Sequence, residues 1–169
     1  LGEREREFIA ARDSFYLASV SATGWPYVQH RGGPPGFLQV LDPTTLAFAD
    51  FDGNRQMITA GNLASDDRVS LFLMDYPHRR RLKVFGHARW LPASERKDLR
   101  RLLAPPDGGA VVERIVVIDV VSFDWNCPQY ITPRFTQAEI EAQLHSLRSR
   151  IAELEAGSTP AGSTAAARS

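Results

Sequence analysis

Strand-length apolar runs alternate with short glycine-rich, cationic corners from Gln29 to Arg89, and this alternation restricts the chain to a small, sharply turned sheet. The stretch opens on Gln29-His30-Arg31-Gly32-Gly33-Pro34-Pro35-Gly36. It passes through Leu46-Ala47-Phe48-Ala49-Asp50-Phe51-Asp52-Gly53-Asn54-Arg55-Gln56. It closes on Arg79-Arg80-Arg81-Leu82-Lys83-Val84-Phe85-Gly86-His87-Ala88-Arg89. Tyr27 to Gly33 reads as a strand ended by Pro34-Pro35, because proline cannot donate to a sheet ladder. Phe37 to Leu41 reads as its extension beyond a bulge. Asp42-Pro43 is a turn, and Thr45 to Asp50 is the next strand.

The flanking segments complete the pattern. Glu3 to Arg12 reads as a short helix with Phe8 and Ile9 packed inward. Phe15 to Ser21 is the first strand, followed by a turn at Thr23-Gly24-Trp25-Pro26. A short helix is expected from about Gly53-Asn54 to Asn62. Asp67 to Met74 is a strand with Val69, Leu71 and Leu73 on one face and Phe72 and Met74 on the other. Apolar residues on both faces imply burial on both, one of them against another subunit. In the strand Arg81 to Trp90, Arg81, Lys83, Phe85, His87 and Arg89 share a face. Ser94 to Leu103 reads as a helix stopped by Ala104-Pro105-Pro106, and Val111 to Phe123 as a long last strand.

At the C-terminal end Thr136 and Glu139 form a capping box. Ile140, Leu144, Leu147, Ile151 and Leu154 follow at four-three spacing, a coiled-coil seam that must dock on the body or on a partner helix. Residues from Gly157 are rich in Ala, Ser, Thr and Gly and are expected to be a flexible tail. The domain reading is 1–135 for the barrel, 136–156 for the amphipathic helix and 157–169 for the tail.

Composition narrows the function classes. Twenty basic and twenty acidic residues cancel, so bulk attraction to nucleic acid or an anionic membrane is not expected, and any anion site must be local. The single cysteine, Cys127, excludes an intrachain disulfide and points to a reducing compartment. No segment has the roughly 18–20 apolar residues of a membrane helix, and the charged N-terminal stretch lacks a signal-peptide core. A cytoplasmic protein is expected. His30, His78, His87 and His145 show no metal-ligand spacing, no nucleophile elbow occurs, and Cys127 reads as inert.

What remains is a local anion site. Arginine binds phosphate through its planar fork, and a helix start offers unpaired N–H groups. Gly53-Asn54-Arg55-Gln56 opens a helix directly after a strand. Arg31 ends another strand, and Arg81 and Lys83 project from one face of a third. Gly32 and Gly33 allow backbone to approach a flat ring closely. These strands and corners resemble the FMN-binding split β-barrels of the pyridoxamine 5′-phosphate oxidase family over about Phe8 to Arg134. The fold class is therefore expected to be mainly β with flanking helices, a split barrel carrying a C-terminal coiled-coil-like helix. The resemblance implies FMN as cofactor, bound by His30, Arg31, Gly32, Gly33, Ala49, Asp50, Asn54, Arg55, Gln56 and Lys83. It further implies that Trp125 and Arg134 reach the flavin across a homodimer interface. The segment Trp125-Asn126-Cys127-Pro128-Gln129-Tyr130-Ile131 is similar to a motif of the oxidase-like subgroup. The Arg-x-His element of the true oxidases is absent, which argues against oxidation of pyridoxamine phosphate itself.

The function expected is a flavin-dependent oxidoreductase acting on a small molecule, with no catalytic acid or base identified. The alternatives are a non-catalytic flavin-binding or carrier protein, and a haem- or deazaflavin-binding relative on the same barrel.

Overall fold

The computed structural model describes residues 1–51, 57–105, 111–125 and 127–157. The described chain divides into two units, Leu1–Thr132 and Pro133–Ser169. In the first, the elements run α1 (Glu3–Ala10), β1 (Ser14–Val20), β2 (Pro26–Gly32), β3 (Gln39–Asp42), β4 (Thr45–Phe51), α2 (Ile58–Ser65), β5 (Arg68–Asp75), β6 (Arg80–Pro92), α3 (Lys97–Leu102) and β7 (Val112–Trp125). The second holds α4 (Gln137–Gly157).

The seven strands form one antiparallel sheet in the order β2-β1-β5-β6-β7-β4-β3. The segment 37–41 does not extend β2. Most of it forms β3, which pairs with β4 at the opposite edge of the sheet. This placement dictates the overall curl. Seven strands laid flat would separate the two edges by roughly 29 Å. The connection from Gly32 to Gln39 reaches at most roughly 25 Å when fully extended. The sheet must therefore bend toward closure, and the result is a split barrel.

Strand alternation then sorts side chains between two cores. Phe15, Leu17, Leu46, Phe48, Leu71, Leu73, Leu82, Val84 and Ile118 fill the barrel interior. α1 closes one side of it through Phe8 and Ile9, as the spacing predicts. Ala47, Ala49, Ile115 and Val117 point out of the barrel and meet Leu99 and Leu103 at α3. The second apolar face of β7 is thus covered within the chain where α3 lies. The second face of β5 differs: Ser70, Phe72 and Met74 are only half-buried there.

The most deeply buried polar side chains are paired. Asn62 of α2 donates to the Ser19 hydroxyl at 2.9 Å, and Thr59 donates to Gln29 at 2.8 Å. Asp75, at the end of β5, is almost wholly buried. It accepts from Arg80 at 2.7 Å, bonds the His78 ring at 2.8 Å and lies 3.7 Å from Arg12. Burial pushes this carboxyl up, but the hydrogen bonds from Arg80 and His78 and the Arg12 charge outweigh it and hold it below the usual carboxylate range. Arg12 also donates to the Phe8 and Met74 carbonyls, so this charge cluster ties α1 to β5.

In α4 the expected capping box is formed. Thr136 Oγ1 accepts from the Glu139 N–H, and the Glu139 carboxylate accepts from the Thr136 N–H at 2.7 Å. The seam residues Ile140, Leu144, Leu147, Ile151 and Leu154 are all exposed. No described helix is long and apolar enough to cross a membrane.

Candidate functional site

Three charged side chains meet at one mouth of the barrel. Along β4 the inward positions are Leu46, Phe48 and Asp50, and β7 places Arg114 directly opposite Asp50. Arg31, on β2, pairs in register with the interior residue Phe15 and so points the same way. Arg31 Nη1 donates to Asp50 Oδ1 at 2.8 Å. Arg114 Nε and Nη2 lie 3.1 and 2.9 Å from Asp50 Oδ2. Each carboxylate oxygen is thus taken by a different guanidinium. All three side chains are 17–18% exposed, neither sealed in the core nor free in solvent.

Among the described residues, two cations on one anion leave a net positive charge at this mouth. Arg31 lies over the Phe48 ring at 5.7 Å, and its Nε is buried with no hydrogen-bond partner among the described residues. A buried N–H on a cation without a partner is costly. Arg114 Nη1 lies 3.8 Å from Met57 Sδ, immediately before α2. The cluster therefore stands beside the residue that precedes α2.

The structure brings together only part of the predicted set. Arg31 and Asp50 meet. His30 and Lys83 lie on the opposite, outer face of the sheet, in one register row with Tyr16 and Phe72. There His30 packs edge-on against Tyr16, and Lys83 pairs with Asp124 at 3.0 Å. Arg31 and Lys83 do not converge on one point. Ala49 faces α3, not the barrel mouth. Gly32 ends β2, and Gly33 sits under Phe37: a Cβ there would fall 2.7 Å from that ring, which itself stacks on Phe15. The flat ring that Gly33 accommodates is thus one of the chain's own. Asn54, Arg55 and Gln56 lie outside the described residues.

Trp125 ends β7 and is fixed by α1. Its indole N–H donates to Glu5 at 2.7 Å, its ring meets Phe8 edge-on at 4.8 Å, and Arg4 stacks over it at 4.2 Å. The Trp125 N–H is the main reason the Glu5 carboxyl sits below its ordinary range. Arg134 belongs to the second unit.

Arg114 escaped the sequence reading. Its signal was an arginine two positions ahead of Val116 and four ahead of Ile118, in line with the apolar residues of that strand's interior face. Such a residue needs an anionic partner, and Asp50 is that partner. A separate cleft of ≈ 170 Å³ lies between Pro34–Phe37 and the end of α3, with Phe51 in its wall. Among the described residues no charged side chain lines it. Among the described residues no group of three or more His, Cys, Asp or Glu is placed to hold a metal.

The sequence profile described as pyridoxamine 5′-phosphate oxidase matches residues 1–108. This chain belongs to that family. Solved structures agree on the fold. HupZ of Group A Streptococcus superimposes with a TM-score of 0.59 at 13% identity, over 80% of this chain and 99% of that one. An FMN-binding protein of Syntrophomonas wolfei gives 0.57 at 14% identity, over 74% and 85%. General Stress Protein 26 of Bacillus anthracis gives 0.54 at 14%, over 79% and 95%. A search of the curated proteins found no match.

Proposed function

We propose that this family member binds FMN and uses it as an oxidoreductase acting on a small molecule. The observation that carries the reading is the Arg31–Asp50–Arg114 cluster, two guanidiniums held on one carboxylate. Its donor chemistry suits a phosphate monoester. Asp50 fixes both guanidiniums before the ligand arrives, and the spare N–H groups supply charge-assisted bonds. Asn54 and Arg55, which the family resemblance assigns to phosphate, lie four and five residues after Asp50 in sequence. One solved relative on this fold is described as FMN-binding, which supports the choice of cofactor.

The flavin would supply the redox chemistry, and the chain would bind and orient it. A second copy would cover the outer face that exposes Tyr16, Val28 and Phe85, and Trp125 and Arg134 belong to this reading as residues near the shared interface.

Titration of the purified protein with FMN, followed by flavin absorbance and fluorescence, tests the binding. Saturable binding is expected. Arg31→Ala should weaken it by about 10- to 100-fold, the equivalent of ~1.5–3 kcal/mol for a charge-assisted bond. Failure of the wild type to bind FMN would overturn the reading. Bleaching of bound flavin by a nicotinamide donor under anaerobic conditions tests the redox part, and its absence would leave a flavin carrier.

A further inference from the structure

We infer that α4 forms a parallel, in-register two-stranded coiled coil with α4 of a second copy of this chain. The inference is independent of flavin binding. Every residue from Gln137 to Glu155 is exposed. The apolar bulk is confined to one seam. Leu144 and Ile151 take the a positions of a heptad, and Ile140, Leu147 and Leu154 take the d positions. The rest of the surface is small or polar: Ala138, Ala142, Ser146, Ser149 and Ala152 stand among Glu, Arg, Gln and His145. One partner helix would cover the whole apolar stripe.

The flanking charges select the arrangement. In a parallel pair each g position faces the e position of the next heptad on the other helix. That sets Arg150 against Glu155 of the partner subunit, twice by symmetry, and Gln143 against Arg148 of the partner subunit. No like charges meet. Arg150 now bonds Glu153 on its own helix at 3.0 Å in an exposed pair, a contact it can exchange at little cost. Two antiparallel registers compete. One places Leu144 against Leu147 of the partner subunit, which strands Leu154 opposite Gln137. The other sets Arg148 against itself and Glu141 against Glu155, both repulsive. Only the parallel register buries all five seam residues without repulsion.

Disulfide mapping in the full chain tests this. Cys127 is the sole cysteine, so a Cys127→Ser background is free of thiols. Leu147→Cys, or Ile140→Cys as a second seam variant, should meet its own copy within disulfide reach and oxidise to a covalent dimer. Ser149→Cys, on the outer face of the same helix, should remain largely monomeric on denaturing gels. Adding Arg150→Glu to Leu147→Cys should reduce cross-linking, and adding Arg150→Glu with Glu155→Arg should restore it. Helical circular dichroism confirms that each variant is folded. Seam variants that cross-link no better than Ser149→Cys would overturn the proposal. So would a mixture of Leu144→Cys and Leu147→Cys chains that cross-links better than either alone, because that pattern marks an antiparallel pair.

Discussion

Two glycines of this chain should answer the same substitution with opposite signs. Gly86 sits at the bulge between β6 and β7, where an added Cβ would fall 2.5 Å from the Asp119 carbonyl oxygen and 2.9 Å from Ile118 Cγ2. Both obstacles belong to a packed sheet, so Gly86→Ala should destabilise the barrel by about 1–3 kcal/mol in denaturant unfolding. Gly61 lies within α2 and has nothing within 4 Å of its Cβ position, so Gly61→Ala should stabilise by about 0.5–1 kcal/mol through helix propensity. Equal effects of the two would refute the packing described at the bulge. Asp75 offers a test in pH. Its folded carboxyl lies below the ordinary value, so its stabilisation is complete above the unfolded carboxylate range. That stabilisation fades as pH falls through the folded value. Asp75→Asn should cost about 2–4 kcal/mol at pH 7, allowing for the partial exposure of Arg80 and His78. The gap between wild type and variant should narrow at pH 3, and a gap that does not depend on pH would contradict the ionised assignment.

At the level of elements, α4 rests on its capping box, since Thr136 and Glu139 each satisfy an N–H of the other. Thr136→Ala should remove about 1 kcal/mol of helix stability and lower the temperature at which helical circular dichroism is lost. An unchanged melting profile would mean the cap contributes nothing. This helix was legible because its signals are local: the box and the seam. The strands β1, β4 and β5 were legible for the same reason, their alternation being a local property. β3 was not. Val40 and Leu41 look equally suited to either edge of a sheet, and only the barrel's closure decides which edge they join. The site divides along the same line. Arg31 stood out beside two glycines, whereas its meeting with Asp50 and Arg114 depends on strand register across three parts of the chain. Lys83 shares a cationic strand face in the sequence, yet the period of two sends it to the side of the sheet opposite Arg31.

For the whole molecule, the connection from β2 to β3 links the curl of the sheet to the site. By bending the edges together it brings β2, β4 and β7 around one mouth, where Asp50 holds two arginines from strands far apart in sequence. If that mouth is the phosphate site, the phosphate of FMN must contribute to affinity through these two residues. The measurement that tests this most directly compares the affinities for FMN and riboflavin in the wild type and in an Arg31→Ala/Arg114→Ala variant, all at one ionic strength. The account predicts tighter binding of FMN by the wild type and a difference that largely disappears in the variant, with riboflavin affinity little changed. A variant that keeps the full preference for FMN would show that the phosphate is held elsewhere, and the barrel-mouth cluster would then be a structural ion pair.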